Sequence, residues 1–227
     1  MIFVTGDTHG LLDLDKIEEC FYGFDDEYTK KDYLIILGDV ACCWDGGDED
    51  RDVRKALHDL PLTVLWIDGN HENFDIIDKL TVTDDWNGGK VQFVDEDIIH
   101  LMRGQVYMIE GREFFTFGGA NSIDKNYRIE GQSWWAREMP SDDEYDEGIR
   151  NLKKAGGRVD CILTHTCPGK IAHQLTDRYY SGEEELQRYL DEIAEMTEFR
   201  EWYFGHWHVD ENIGRFHALY NDVIQII

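Results

Sequence analysis

Short unbroken apolar runs alternate along this chain with longer stretches in which apolar residues return every three or four positions. The runs Ile2–Val4, Tyr33–Leu37, Thr63–Ile67, Val159–Leu163 and Trp202–Phe204 predict strands covered on both faces, since such strands need apolar side chains at successive positions. Between the early runs, Asp13–Tyr22 and Asp48–Leu60 predict helices. Leu14, Ile17 and Phe21 in the first, and Val53, Ala56, Leu57 and Leu60 in the second, recur at helical spacing. This is the order of a βαβ unit.

The pattern then changes. Val91–Val94, Ile98–Leu101, Gln105–Ile109 and Glu113–Phe117 are separated by acidic or glycine-containing turns and predict successive antiparallel strands. Helices return at Asp142–Ala155 and Glu183–Met196, the second with Leu186, Leu190 and Ile193 on one side. Phe216–Tyr220 and Val223–Ile227 predict a closing hairpin around Asn221-Asp222. With no internal repeat or proline-rich linker, the simplest packing is a mixed two-sheet α/β sandwich, one domain over residues 1–227.

Composition narrows the function classes. At 227 residues and 42% hydrophobic content, with 7 Trp, 11 Phe and 11 Tyr, the chain buries a substantial core. Its 22 Lys and Arg against 48 Asp and Glu give a formal charge of −26. Such a surface repels phosphate backbones, so no stable nucleic-acid binding is expected. The acidic runs Asp48-Glu49-Asp50, Asp95-Glu96-Asp97, Asp142-Asp143-Glu144 and Glu183-Glu184-Glu185 read as solvated helix starts and loop faces. Five cysteines, two of them adjacent (Cys42, Cys43) and none in a C-x-x-C pair, encode neither a zinc ribbon nor a disulfide framework. No basic, apolar leader opens the sequence and no segment reaches the ~20 apolar residues of a membrane span. A cytoplasmic location with no membrane partner is the expectation.

Five blocks carry the candidate chemistry: Gly6-Asp7-Thr8-His9-Gly10, Gly38-Asp39, Gly69-Asn70-His71-Glu72, Thr164-His165 and Gly205-His206-Trp207-His208. Each sits where a predicted strand stops, the edge of an α/β sheet at which distant segments converge. Asp7 and His9, one residue apart, can grip one cation from the same side. Asp39 offers two oxygens, enough to bridge two ions. Asn70 adds a neutral oxygen, and His165, His206 and His208 add imidazole nitrogens, a donor mixture suited to Mn, Fe or Zn rather than calcium.

Taken in order, D-x-H, G-D, G-N-H-E, a single His and G-H-x-H resemble the calcineurin-like metallophosphoesterase superfamily over Asp7 to His208. The resemblance implies an α/β fold, a four-layer α/β/β/α sandwich of two mixed sheets, around two divalent metal ions. It further implies that Asp7, His9, Asp39 and His208 bind the first ion and that Asp39, Asn70, His165 and His206 bind the second. Two such ions lower the pKa of a bridging water and neutralise charge during in-line attack on phosphorus. His71, as its counterpart is thought to do in the family, would assist the leaving group; its alternative is a packing neighbour of Asn70.

The second block departs from the protein Ser/Thr phosphatases of this superfamily, which read G-D-x-V-D-R-G. Here Gly38-Asp39 continues Val40-Ala41-Cys42-Cys43-Trp44, without the carboxylate that pairs with the His71 counterpart and without the phosphate-gripping Arg. Asp45 either supplies that carboxylate or is a solvent-facing turn residue. The segment 118–128, with Lys125 and Arg128, either walls the substrate pocket and holds a phosphate oxygen or forms a structured surface loop. The expectation is thus a phosphoesterase acting on a small phosphomonoester or phosphodiester. Its rivals are a non-catalytic metal-stabilised scaffold, a Ser/Thr phosphoprotein phosphatase and a nuclease.

Overall fold

The computed structural model describes residues 1–21, 27–176 and 181–227. Its strands are β1 (Ile2–Thr5), β2 (Tyr33–Ile36), β3 (Thr63–Trp66), β4 (Val82–Trp86), β5 (Gly89–Asp95), β6 (Ile98–Leu101), β7 (Gln105–Ile109), β8 (Arg112–Phe117), β9 (Cys161–Thr164), β10 (Glu201–Phe204), β11 (Glu211–Ile213), β12 (Phe216–Ala218) and β13 (Val223–Gln225). The helices are α1 (Asp15–Phe21), α2 (Asp48–Asp59), α3 (Phe74–Ile77), α4 (Asp142–Lys154), α5 (Gly169–Leu175) and α6 (Glu184–Met196). Two mixed sheets result. One is ordered β13-β1-β2-β3-β6-β5-β4, the other β11-β12-β10-β9-β8-β7.

Side-chain alternation builds the layers. Ile2 and Val4 of β1, and Ile35 with Leu37 at β2, point between the sheets, where they meet Phe114, Cys161, Leu163 and Tyr203 of the second sheet. Their neighbours Phe3, Leu34 and Ile36 point the other way and pack on Ile17 and Phe21 of α1 and on Val53 and Leu57 of α2. On the second sheet, Phe115, Ile162, Trp202 and Phe204 face Leu152 of α4, Ile171 of α5 and Leu186, Leu190 and Ile193 of α6. Three apolar slabs therefore separate four layers, α/β/β/α. A strand with apolar residues on both faces reads as an unbroken run because each face meets a different slab, and each fully buried Leu or Ile contributes about 1.5–3 kcal/mol.

Three expectations need correction. Phe216–Tyr220 and Val223–Ile227 are not a hairpin: β12 pairs with β10 and β11, whereas β13 pairs antiparallel with β1 in the other sheet. The link between them is pinned by the Asp210 carboxylate, which accepts the backbone N–H groups of Tyr220, Asn221 and Asp222, and by the Thr5 hydroxyl, which donates to the Asp222 carbonyl. Nor are the middle strands one antiparallel series. β5 pairs with β6 and β7 with β8, but the chain crosses between sheets after Leu101, and β6 lies parallel to β3. The acidic runs, finally, are not wholly solvated. Asp50, Asp97 and Glu183 are buried, and Asp50 accepts the N–H groups of Trp44, Asp45 and Gly46 just before α2. The predicted helix Asp13–Tyr22 appears as α1, and Tyr22 lies outside the described residues. No described helix is long and apolar enough to cross a membrane.

Candidate metal centre

Asp7 and His9 follow β1, Asp39 follows β2, and Asn70 with His71 follows β3; His165 follows β9, and His206 with His208 follows β10. β1, β2 and β3 are mutually parallel, as are β9 and β10, so these segments leave common edges. The two edges meet. His165 Nε2 lies 3.5 Å from Asp39 Oδ1 and 3.1 Å from Asn70 Oδ1, and His208 Nε2 lies 3.0 Å from Asp7 Oδ2. His9 Nε2 is 3.6 Å from Asp39 Oδ2, and the His165 and His206 rings are 5.0 Å apart. All seven residues with ligand chemistry are thereby gathered.

Two overlapping sets, Asp7 with His9 and His208, and Asp7 with Asp39 and His165, each place one donor atom per residue within 4.8 Å of the others. The carboxylates of Asp7 and Asp39 are 0% and 1% exposed. Burial disfavours their charge, yet His165 and its neighbours outweigh it and hold both below the usual carboxylate range. Burial likewise opposes charge on the imidazoles. Asp39 and Asp7 win at His165, pushed up to about 10, and Asp39 with Asp13 and Asp7 wins at His9, pushed up to about 9, while burial prevails at His206, which is lowered. Two buried anions surrounded by imidazoles and an amide oxygen fit hard-to-intermediate divalent cations, which would take the place of those protons.

Local backbone geometry explains the glycines and the sharp turns. His9, Asp39, His206 and His208 adopt φ of 45°, 52°, 65° and 51°, a left-handed region that costs non-glycine residues energy and concentrates at functional sites. Gly69 and Gly205 allow close approach. A Cβ on Gly69 would stand 2.0 Å from Asp39 Oδ1, and one on Gly205 would stand 2.2 Å from Asp7 Oδ1.

The histidines are aimed from behind. His9 Nδ1 lies 2.8 Å from the Asp13 carboxylate, His165 Nδ1–H donates to the Leu37 carbonyl at 2.6 Å, and His206 Nε2 lies 3.5 Å from Glu183. Outer partners of this kind fix which ring nitrogen is free for a metal. Asp13 and Glu183 did not stand out in the sequence, although Asp13 sits four residues after His9. Glu183 was masked by the two acids that follow it; its carboxylate accepts from the Asn121 N–H and from Gln187.

His71 donates its backbone N–H to Asp39 Oδ1 at 2.7 Å and accepts at Nδ1 from Arg128 Nη2 at 3.2 Å. That bond leaves the ring proton on Nε2. Burial lowers the His71 pKa, with Asp39 opposing and Arg128 reinforcing the shift. Arg128 thus stands where the sequence lacked a carboxylate partner, and it also bonds Ser122 and Asp124. Asp45 is exposed and caps its own turn by accepting from the Gly47 N–H. Lys125 turns inward to the buried Glu138 at 2.7 Å and to Asn121. A cavity of about 360 Å3 opens beside His71, lined by Asp39, Asn70, His71, Asn121, Asp124, His206 and His208 among others, with Lys125 and Arg128 outside its lining.

Among solved structures, the chain resembles a protein assigned as a 5′-nucleotidase from Staphylococcus aureus, with 12% identity and a TM-score of 0.50. The match covers 96% of this chain and 48% of that one, so the chain spans about half the length of that relative. A phosphopantetheinyl hydrolase from Mycobacterium tuberculosis matches with 18% identity and a TM-score of 0.46, over 96% and 89% of the two chains. The likeness to the first concerns the fold alone. No curated protein matches the sequence. The sequence pattern of the calcineurin-like phosphoesterases, however, matches residues 1–210. The ordered blocks, the four layers and that match together make the chain a member of the calcineurin-like phosphoesterase family.

Proposed function

We propose that this phosphoester hydrolase is a dinuclear metal enzyme acting on a small phosphomonoester or phosphodiester, with residues 1–227 working as one domain. The observation that carries this reading is the pair of buried carboxylates, Asp7 and Asp39, whose oxygens are paired by imidazoles from both sheets and, among the described residues, by no Lys or Arg; Lys16 Nζ donates to the Asp7 main-chain carbonyl instead. Asp7, His9, Asp39 and His208 hold one ion, and Asp39, Asn70, His165 and His206 the other, with Mn, Fe or Zn favoured by the donors. Bound there, the ions supply Lewis acidity and a water of lowered pKa. Arg128 steadies a phosphoryl oxygen, Lys125 anchors the 118–128 loop through Glu138, and His71 donates its Nε2 proton to the departing oxygen.

Hydrolysis of aryl phosphate mono- and diesters with added Mn²⁺ tests the reading. Activity should vanish in Asp39→Asn, and a folded, metal-loaded protein inert on both panels overturns it. His71→Ala should bind metal as the parent does and lose about 100-fold or more in kcat on esters with poor leaving groups. The loss should shrink for a nitrophenyl ester, whose leaving group needs no proton.

A further inference from the structure

Beside the cavity over the carboxylates lies a second, of about 570 Å3, with different chemistry. Gly10, Leu11, Leu12, Ala41, Trp44 and Val53 form its walls, and His9 and His71 close the end nearest the carboxylates. Leu11 and Leu12 are 49% and 82% exposed. Large apolar side chains held open to water around a concave surface mark a place that something covers. The remaining lining residues are acids: Glu49 and Asp52, three residues apart on α2 and both exposed. Among the described residues, no Lys or Arg lines this groove.

His71 lines both cavities. Resting on the phosphoesterase reading above, we propose that the groove receives the leaving alcohol of the substrate, an uncharged or cationic group with a planar apolar body. In hydrolysis the water oxygen adds to phosphorus and the bond from phosphorus to the alcohol oxygen breaks, in line with and opposite to the attack. The phosphoryl group belongs over Asp39, Asn70 and the histidines, and the proton for the departing oxygen comes from His71. The carbon body attached to that oxygen therefore continues past His71, where the apolar walls begin. Trp44 gives a flat ring to pack against, already braced edge-on by Trp135 at 5.7 Å. Glu49 and Asp52 attract a cation or an amine donor on the alcohol and repel a carboxylate or phosphate there. Phosphoryl donors whose leaving group is itself polyanionic are disfavoured by the same two charges.

Three aryl phosphates matched in leaving-group pKa, one neutral, one bearing a trimethylammonium and one bearing a carboxylate, decide the point. The cationic ester should exceed the anionic one in kcat/KM by about threefold to tenfold, the scale of one or two exposed charges. In the Glu49→Gln, Asp52→Asn double variant this ratio should fall toward one. Leu12→Ser should lower kcat/KM for the aryl esters relative to methyl phosphate. Equal kcat/KM for the three esters, or a ratio unchanged in the double variant, overturns the proposal. A readout independent of turnover is backbone amide NMR of the Zn²⁺-loaded protein titrated with the free trimethylammonio-phenol. Shifts at Leu11, Leu12 and Val53 are expected; shifts confined to the Ile123 and Trp207 side, or none, count against the groove. A protein that shows the groove shifts but cleaves no ester would instead remove the hydrolase reading and leave the groove.

Discussion

Three strands of the first sheet, β1, β2 and β3, each deliver a buried aspartate close behind their last residue, yet the three carboxylates meet different fates. Asp68, behind β3, is 1% exposed and answered by a permanent cation: Arg103 donates Nε and Nη2 to Asp68 Oδ2 at 2.8 and 2.6 Å, and His100 Nε2 lies 3.2 Å from Oδ1. Burial opposes the Asp68 charge, but Arg103 and His100 outweigh it and keep the carboxyl well below its usual range. Asp7 and Asp39, behind β1 and β2, are equally buried, and among the described residues their carboxylate oxygens pair with imidazoles and backbone donors, Lys16 reaching the Asp7 main-chain carbonyl instead. A closed ion pair is structural, whereas a buried anion answered by neutralisable rings has room for a metal. Burial alone does not distinguish the two centres; the identity of the partner does.

That contrast can be broken at either end. The largest effect is expected at Arg103, where Arg103→Leu strands the Asp68 charge and should cost about 3–5 kcal/mol of unfolding free energy, measured in urea and unchanged by chelator. Next comes Asp39→Asn, which should leave the metal-free protein folded but remove the rise in melting temperature that Zn²⁺ or Mn²⁺ gives the parent. At 100 times Kd that rise corresponds to about 2.7 kcal/mol, and its persistence in the variant would merge the two centres into one structural class. Asp13→Asn, behind His9, should weaken metal affinity about tenfold by calorimetry without displacing the ring from the site.

The smallest effect concerns pH at the edge of the Arg103 network. Burial opposes the Glu144 charge, but Arg103, the Ser141 N–H and Arg137 prevail and lower its pKa below the unfolded value. The sign follows: its contribution to stability is present above the unfolded carboxyl pKa of about 4.3 and is lost as pH falls through the folded value. Glu144→Gln should therefore lower stability modestly at pH 7, where the parent's carboxylate contribution is fully present, and lose that difference as pH falls below about 5, which flattens the acid limb. A variant that loses stability at pH 7 and keeps the parent's acid limb would refute the assignment.

Much of this was legible from residues alone, for identifiable reasons. The double-faced strands β1, β2, β3, β9 and β10 announce themselves because each face meets apolar layers, and every candidate ligand lies just beyond one of them. The tail was misread because Asn221-Asp222 has turn chemistry, while the interactions that divert it, Asp210 and Thr5, lie 12 and 217 residues away in sequence from Asp222. β4 is not legible in the sequence because it is a short edge strand in which Val82, Asp84 and Asp85 are exposed and only Trp86 packs on the slab between the sheets. Glu183 and Asp50 were hidden among like charges, since composition cannot tell which member of an acidic run turns inward. Arg128 was visible as a cation near the pocket, but its reach to His71 depends on how the 118–128 loop folds.

The donors contributed by the first sheet, Asp7, His9, Asp39 and Asn70, face those contributed by the second, His165, His206 and His208, across the slab that holds the sheets together. Ions seated between them would act as a rivet through two plates otherwise joined by the apolar slab and a few hydrogen bonds, such as that from the Tyr107 hydroxyl to the Lys90 carbonyl. Catalytic charge and mechanical fastening would then reside in the same few atoms, so that an empty centre loosens the sandwich at the very edge where substrate enters.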